Sequence, residues 1–184
     1  MALRFSLLAA LTVVLGATPA SAQFDCTSQA SGDFSDTATW SSCGGGVPDA
    51  DDAAIVTNGT TVTLDVNASV RGLEVNAGGT FDNGTSTLTA VDPSNAFLVN
   101  NGTFDGNGGT FVFAQQGAVS GSAVTAFHNV TLRAGVDFAT SSGSSTLAGT
   151  LTIEAGGSIR DAGGGATPPT YQTSSMLLYD TGGA

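Results

Sequence analysis

Between Thr61 and Val66 polar and apolar residues alternate strictly, with Val62, Leu64 and Val66 on one side and Thr61, Thr63 and Asp65 on the other. Period two is the pattern of a strand with one buried face. Downstream, Leu73 and Val75 alternate in the same way, Gly78 and Gly79 interrupt, and Phe81 resumes the apolar phase. This order of residues returns. Val130, Leu132, Gly135 and Phe138 repeat it, as do Leu151, Ile153, Gly156 and Ile159, and Phe97, Val99, Gly102 and Phe104 fit with one residue deleted. Each copy predicts a short strand, a tight corner and a second strand, with Leu73, Phe97, Val130 and Leu151 facing one interior. No helical period follows the first 22 residues.

A strand–corner–strand unit cannot bury its apolar side alone, whereas stacked copies share a continuous core. The copies begin 24, 33 and 21 residues apart, which a stack tolerates because corner loops vary while strands keep register. The expected fold is therefore all-β, a parallel β-solenoid (β-helix) entered through an N-terminal lead-in. An antiparallel β-sandwich is the alternative, since Asn-Gly dipeptides also close hairpins. The expected divisions are residues 1–22 as a signal peptide, 23–52 as a lead-in or cap, and 53–184 as coils. Residues 162–175 form a Gly- and Pro-rich excursion before Met176 to Asp180 re-enters as a strand.

Composition adds a compartment. Arg4, the apolar run from Phe5 to Leu15, and the small residues Ala20 and Ala22 read as a secretory signal cleaved after Ala22. The run is shorter than the roughly 20 residues a bilayer-spanning helix needs, so no membrane span is expected once the signal is removed. The predicted location is secreted, extracellular or at the cell surface. In an exported chain Cys26 and Cys43 read as a disulfide; metal binding by a lone cysteine pair is disfavoured, and no cofactor is expected. The formal net charge is −11, and all four basic residues are arginines. Such a chain repels phosphate backbones, which excludes nucleic acid as a partner.

Gly32, Ser35, Asp36, Thr39, Trp40, Pro48 and Asp52, with the coil-like stretches that follow, resemble the opening of large bacterial secreted and cell-surface β-solenoid proteins. Those proteins start similarly to the eight-glycine domain and often carry a C-terminal sorting domain of the type IX secretion route. The resemblance spans the chain after residue 22 and implies architecture and surface display rather than an activity. A sorting domain is not among these residues, and the expectation is an N-terminal part of a longer protein.

Few residues carry candidate chemistry. Asp82 and Asp105 follow equivalent phenylalanines, so neighbouring coils would bring them together as the paired acids of a glycan-degrading site. Against this, Asp before Asn or Gly is ordinary corner chemistry. Asp49, Asp51 and Asp52 offer oxygens to calcium but lack the spacing of a ligand loop. His128 is the only histidine, and no nucleophile elbow accompanies it. Thr61 with Thr63, Thr87 with Thr89 and Thr150 with Thr152 would make a threonine ladder suited to ordered water or a crystalline glycan if they align. Five glycosylation-type sequons, at Asn58, Asn67, Asn83, Asn101 and Asn129, read as corner residues. The expected function is a non-catalytic, extracellular structural or adhesin-like solenoid contacting cell-surface glycans or other cells. A glycan-binding or glycan-degrading β-helix is the alternative.

Overall fold

The structure, a computed structural model, describes residues 23–92, 96–133, 137–140, 145–154, 158–161, 170–171 and 176–179. The expected signal peptide and the corner glycines Gly135 and Gly156 lie outside these residues. The described chain winds as a parallel β-solenoid of three sheets. It enters through β1 (Asp25–Ser28), β2 (Gly32–Asp33), a 3-10 turn at Thr37–Thr39, and β3 (Trp40–Ser41). Four turns follow: β4 (Ala53–Val56), β5 (Thr61–Thr63) and β6 (Ala68–Val70); β7 (Gly72–Val75), β8 (Thr80–Asp82) and β9 (Thr87–Ala90); β10 (Ala96–Asn100), β11 (Thr103–Asp105) and β12 (Thr110–Phe113); β13 (Gly117–Ser120), β14 (Thr125–Phe127) and β15 (Asn129–Leu132). The same order continues through β16 (Asp137–Thr140), β17 (Ser145–Leu147), β18 (Thr150–Ile153), β19 (Ser158–Asp161), β20 (Thr170–Tyr171) and β21 (Met176–Tyr179).

Each turn gives one strand to each sheet. Sheet A runs from β19 through β4 to β1 and β3, sheet B from β2 to β20, and sheet C from β6 to β21. All the pairings are parallel except that of β3, which lies antiparallel to β1. The parallel order follows from sequence economy: every strand meets its equivalent one turn later, and a corner replaces the helix that parallel strands otherwise need.

The inward positions form one core. Ala54, Leu73, Leu98 and Val119 are successive partners along sheet A, and all are buried. Leu88, Phe111, Val130 and Leu151 are successive partners along sheet C, also buried. Phenylalanines fill the middle turns. Phe81 stacks on Phe104 at 5.8 Å between centroids, and Phe127 lies 5.3 Å from Phe104 and 5.8 Å from Phe111.

Three details of the expected repeat are corrected. Leu73–Phe81 turns from sheet A to sheet B, whereas Val130–Phe138 and Leu151–Ile159 turn from sheet C to sheet A. The nine-residue pattern therefore marks two different corners of the column rather than one corner per turn. The copy at Phe97 has the opposite phase: Leu98 and Asn100 are buried, while Phe97 and Val99 face outward. Phe97 covers Gly72 of the preceding turn, where an added Cβ would stand 2.5 Å from the ring, so a side chain at residue 72 is excluded. Finally Val66, expected inward with Val62 and Leu64, is 42% exposed because the chain has already turned the corner.

The lead-in is part of the column, since β1 and β2 extend sheets A and B and Asp25 pairs with Ala53. The excursion at 162–175 contains β20, which pairs with β17. At the A-to-B corner Gly78 has φ of 81°, and a side chain there would collide with Asn58 of the turn below. Glycine is the residue that accepts both constraints.

Candidate functional site

The two acids singled out by sequence do come together. Asp105 is the register partner of Asp82, on strands β11 and β8, with both side chains on the outer side of sheet B. Both oxygens of Asp82 and one of Asp105 accept hydrogen bonds. Asp82 Oδ1 accepts the Gly84 N–H at 2.7 Å, and Asp105 Oδ1 accepts the Asn107 N–H at 3.0 Å. The Asn107 amide, next to Asp105, also donates to both oxygens of Asp82, at 3.3 and 3.4 Å. Each carboxylate thus builds its own corner and the pair is bridged by an amide. This is the turn chemistry of short acidic side chains.

The Asp49–Asp52 cluster serves the entry to the column. Asp52 is buried; its Oδ1 accepts the Phe24 N–H at 2.8 Å and its Oδ2 the Asp49 N–H at 3.3 Å, while Asp49 accepts from the Asp51 N–H at 2.9 Å. Among the described residues no group of three or more His, Cys, Asp or Glu side chains is arranged to hold a metal ion. Cys26 and Cys43 form a disulfide with Cα atoms 4.8 Å apart. His128 sits at the B-to-C corner, where its carbonyl accepts the Gly149 N–H at 2.8 Å and its ring approaches Gly149. Among the described residues no helix is long and apolar enough to cross a membrane.

The residues that carry the family resemblance have structural tasks. Asp36 caps the 3-10 turn by accepting the Ala38 N–H at 2.9 Å. A Cβ at Gly32 would meet Thr39 Oγ1 at 2.5 Å. The buried Trp40 donates from Nε1 to the Phe34 carbonyl at 2.8 Å and packs edge-on against Phe34, 5.2 Å between centroids. Ser35 donates to Asp65 from both Oγ, at 2.5 Å, and its backbone N–H, at 3.0 Å. Partial burial pulls the Asp65 carboxyl upward, but these hydrogen bonds outweigh it and hold the group below the usual aspartate range.

Three of the five sequon asparagines act between turns. Asn67 Oδ1 accepts the Thr87 N–H at 2.8 Å, Asn101 Oδ1 the Ser122 N–H at 3.0 Å, and Asn129 Oδ1 the Thr150 N–H at 3.0 Å. Asn83 is buried. Asn67, Asn101 and Asn129 thus stand in for backbone acceptors where the ladder opens at a corner, whereas Asn83 Oδ1 has no hydrogen-bond partner among the described residues.

Two of the threonine pairs share sheet C; the third lies on sheet B, where Thr63 stands in register with Asp33 and Asp82 rather than with threonine. Thr61 lies on sheet B, where Thr80 and Thr103 are its successive partners. Thr87 and Thr89 belong to sheet C, as do Thr150 and Thr152 two strands beyond their neighbour. Between them the register inserts Thr110 and Asn129 in one file, and Val112 and Thr131 in the other. Thr80, Thr103, Thr110 and Thr131 were not singled out by sequence, because each lacks a threonine two residues away. Only counting from one turn to the next finds them. Compared with family models, curated proteins and solved structures, the chain matches none of them.

Proposed function

We propose that the protein is an exported, non-catalytic solenoid serving as a structural, adhesin-like part of a bacterial cell surface, within a longer chain. The observation that carries this reading is the use made of the acids. Asp82, Asp105 and Asp49 each give one oxygen, and Asp52 both, to backbone N–H groups that shape corners or seal the column entry. Acid–base work on a glycan needs carboxyl groups free to face the scissile bond from defined distances. A parallel ladder with one core also suits a spacer, because each turn adds length without a new interior. The resemblance of the entry motif to secreted surface solenoids supports the same reading, as does a disulfide, which persists in oxidising compartments.

A glycan-degrading β-helix is the rival, and the register pairing of Asp82 with Asp105 favours it. One experiment separates the two. Intact and fractionated cells of the source bacterium are probed with an antibody to the purified chain, and the parent protein and its Asp82→Asn/Asp105→Asn double variant are assayed on a polysaccharide panel. Surface labelling with no turnover by either protein supports the structural reading. Turnover by the parent that the double variant loses overturns it in favour of the enzyme.

A further inference from the structure

The outer side of sheet C differs from the rest of the column. Across the consecutive strands β9, β12, β15 and β18 it presents two parallel files. One file is Thr87, Thr110, Asn129, Thr150; the other is Thr89, Val112, Thr131, Thr152. Every member of the second file is β-branched; its threonines are half-buried, whereas Val112, on the same outward phase, is buried at 6% exposure. No outward position on these four strands is charged or aromatic, in a chain of net charge −11. The acids lie elsewhere: Asp33, Asp82 and Asp105 on sheet B and Glu74 on sheet A, while Arg133 and Glu154 fall just beyond the ends of β15 and β18.

A repeating, uncharged surface of methyls and hydroxyls has few chemical matches. In a parallel ladder, side chains of one file stand about 4.8 Å apart and those two residues apart along a strand about 6.6 Å apart. The spacing between strands lies close to an oxygen–oxygen repeat of hexagonal ice. Hydroxyls can enter such a lattice as donors and acceptors, and the methyls between them order first-shell water without competing for its hydrogen bonds. β-branched side chains have one or two allowed rotamers, and the threonines are half-buried among their neighbours, so little side-chain entropy is lost on contact. Crystalline polysaccharide is the poorer match, because stacking on sugar rings calls for aromatic side chains, and those of strands β9 to β18 in sheet C, Phe111 and Phe113, point into the core.

We infer that the outer face of sheet C binds an ordered water lattice, adsorbing to the surface of ice. This inference does not rest on the cell-surface reading, because it is tested on the purified chain alone. Thermal hysteresis and partitioning into a growing ice front are measured for the parent, for Thr131→Tyr, which raises a ring above the centre of the array, and for Thr80→Tyr, the same change on sheet B. The expected result is a hysteresis gap and ice enrichment in the parent, loss of both in Thr131→Tyr, and retention in Thr80→Tyr. Circular dichroism verifies the fold of each variant, and Thr89→Tyr carries the test if Thr131→Tyr does not fold. The inference is overturned if the parent shows neither hysteresis nor enrichment, if both faces respond alike, or if the chain sediments with crystalline cellulose or chitin while ignoring ice.

Discussion

The entry segment and the middle turns of this column are stabilised by opposite means. Between residues 23 and 52 the strands are short, β2 and β3 having two residues each, and the bonds are individual. They are a disulfide from Cys26 to Cys43, a buried carboxylate at Asp52 holding two N–H groups, and an indole N–H on the Phe34 carbonyl. From β7 to β15 the individual side-chain bonds sit at the corners, and the strands are held by repetition. Each turn repeats parallel ladder bonds and adds apolar side chains to a shared interior. The difference follows from position: an interior turn has neighbours on two sides, whereas the first has one and must close its open side. β3, running antiparallel beside β1, shields the edge of sheet A that would otherwise offer unpaired N–H and C=O groups.

Breaking the middle is expected to cost most. Phe104 contacts Phe81, Phe111 and Phe127, so Phe104→Ala leaves a cavity that three rings cannot refill. The expected loss is about 3–5 kcal/mol in urea unfolding. Next comes the entry. Replacing both cysteines by serine removes a link across 17 residues and is expected to cost about 2–4 kcal/mol. Trp40 is the only tryptophan, so its fluorescence reports the entry while far-UV dichroism reports the turns. The two unfolding curves should coincide in the parent and separate in the double serine variant, the fluorescence moving first. Coincident curves in that variant would show that the entry is not a unit of its own.

Smaller effects sharpen the comparison. Asp52→Ala leaves the N–H groups of Phe24 and Asp49 without their acceptor and is expected to cost about 1–3 kcal/mol. The Asp65 carboxyl, held below its ordinary range by Ser35, contributes stability that is full above the pKa of an unfolded aspartate and fades as pH falls through the lower folded value. Ser35→Ala should therefore reduce stability near neutral pH and flatten its decline in acid, as read by the Trp40 transition. Smallest is Asp82→Asn with Asp105→Asn, which keeps a carbonyl acceptor for each corner N–H. We expect a change within about 0.5 kcal/mol.

Much of this fold was legible in the sequence, and its misreadings share a cause. Leu73, Val130 and Leu151 were placed in the core correctly because each stands in clean alternation. At Phe97 three apolar residues follow one another, so period two can start on either foot. Pairing with Leu73 chooses Leu98, and Asn100 goes inward because the next corner provides partners: its amide donates to the Val124 carbonyl at 2.9 Å and to Thr125 Oγ1 at 3.3 Å. A one-residue slip exchanges the two faces of a strand, and local pattern cannot exclude it there. The candidate acids were found by equivalence of position, and their adjacency followed from it. What those acids bond was not visible, since Asn107 reaches Asp82 only across a turn of the column.

From its letters alone this chain fixes the period-two strands, the corners that demand glycine or asparagine, and the need to stack, because alternation and positive backbone angles are local properties. The tertiary structure decided which corner each repeat occupies and which residue of an apolar run turns inward. It also decided that threonines from different turns fall into common files. Those outcomes depend on the register between strands some twenty residues apart, and register is set by the packing of one turn on the next.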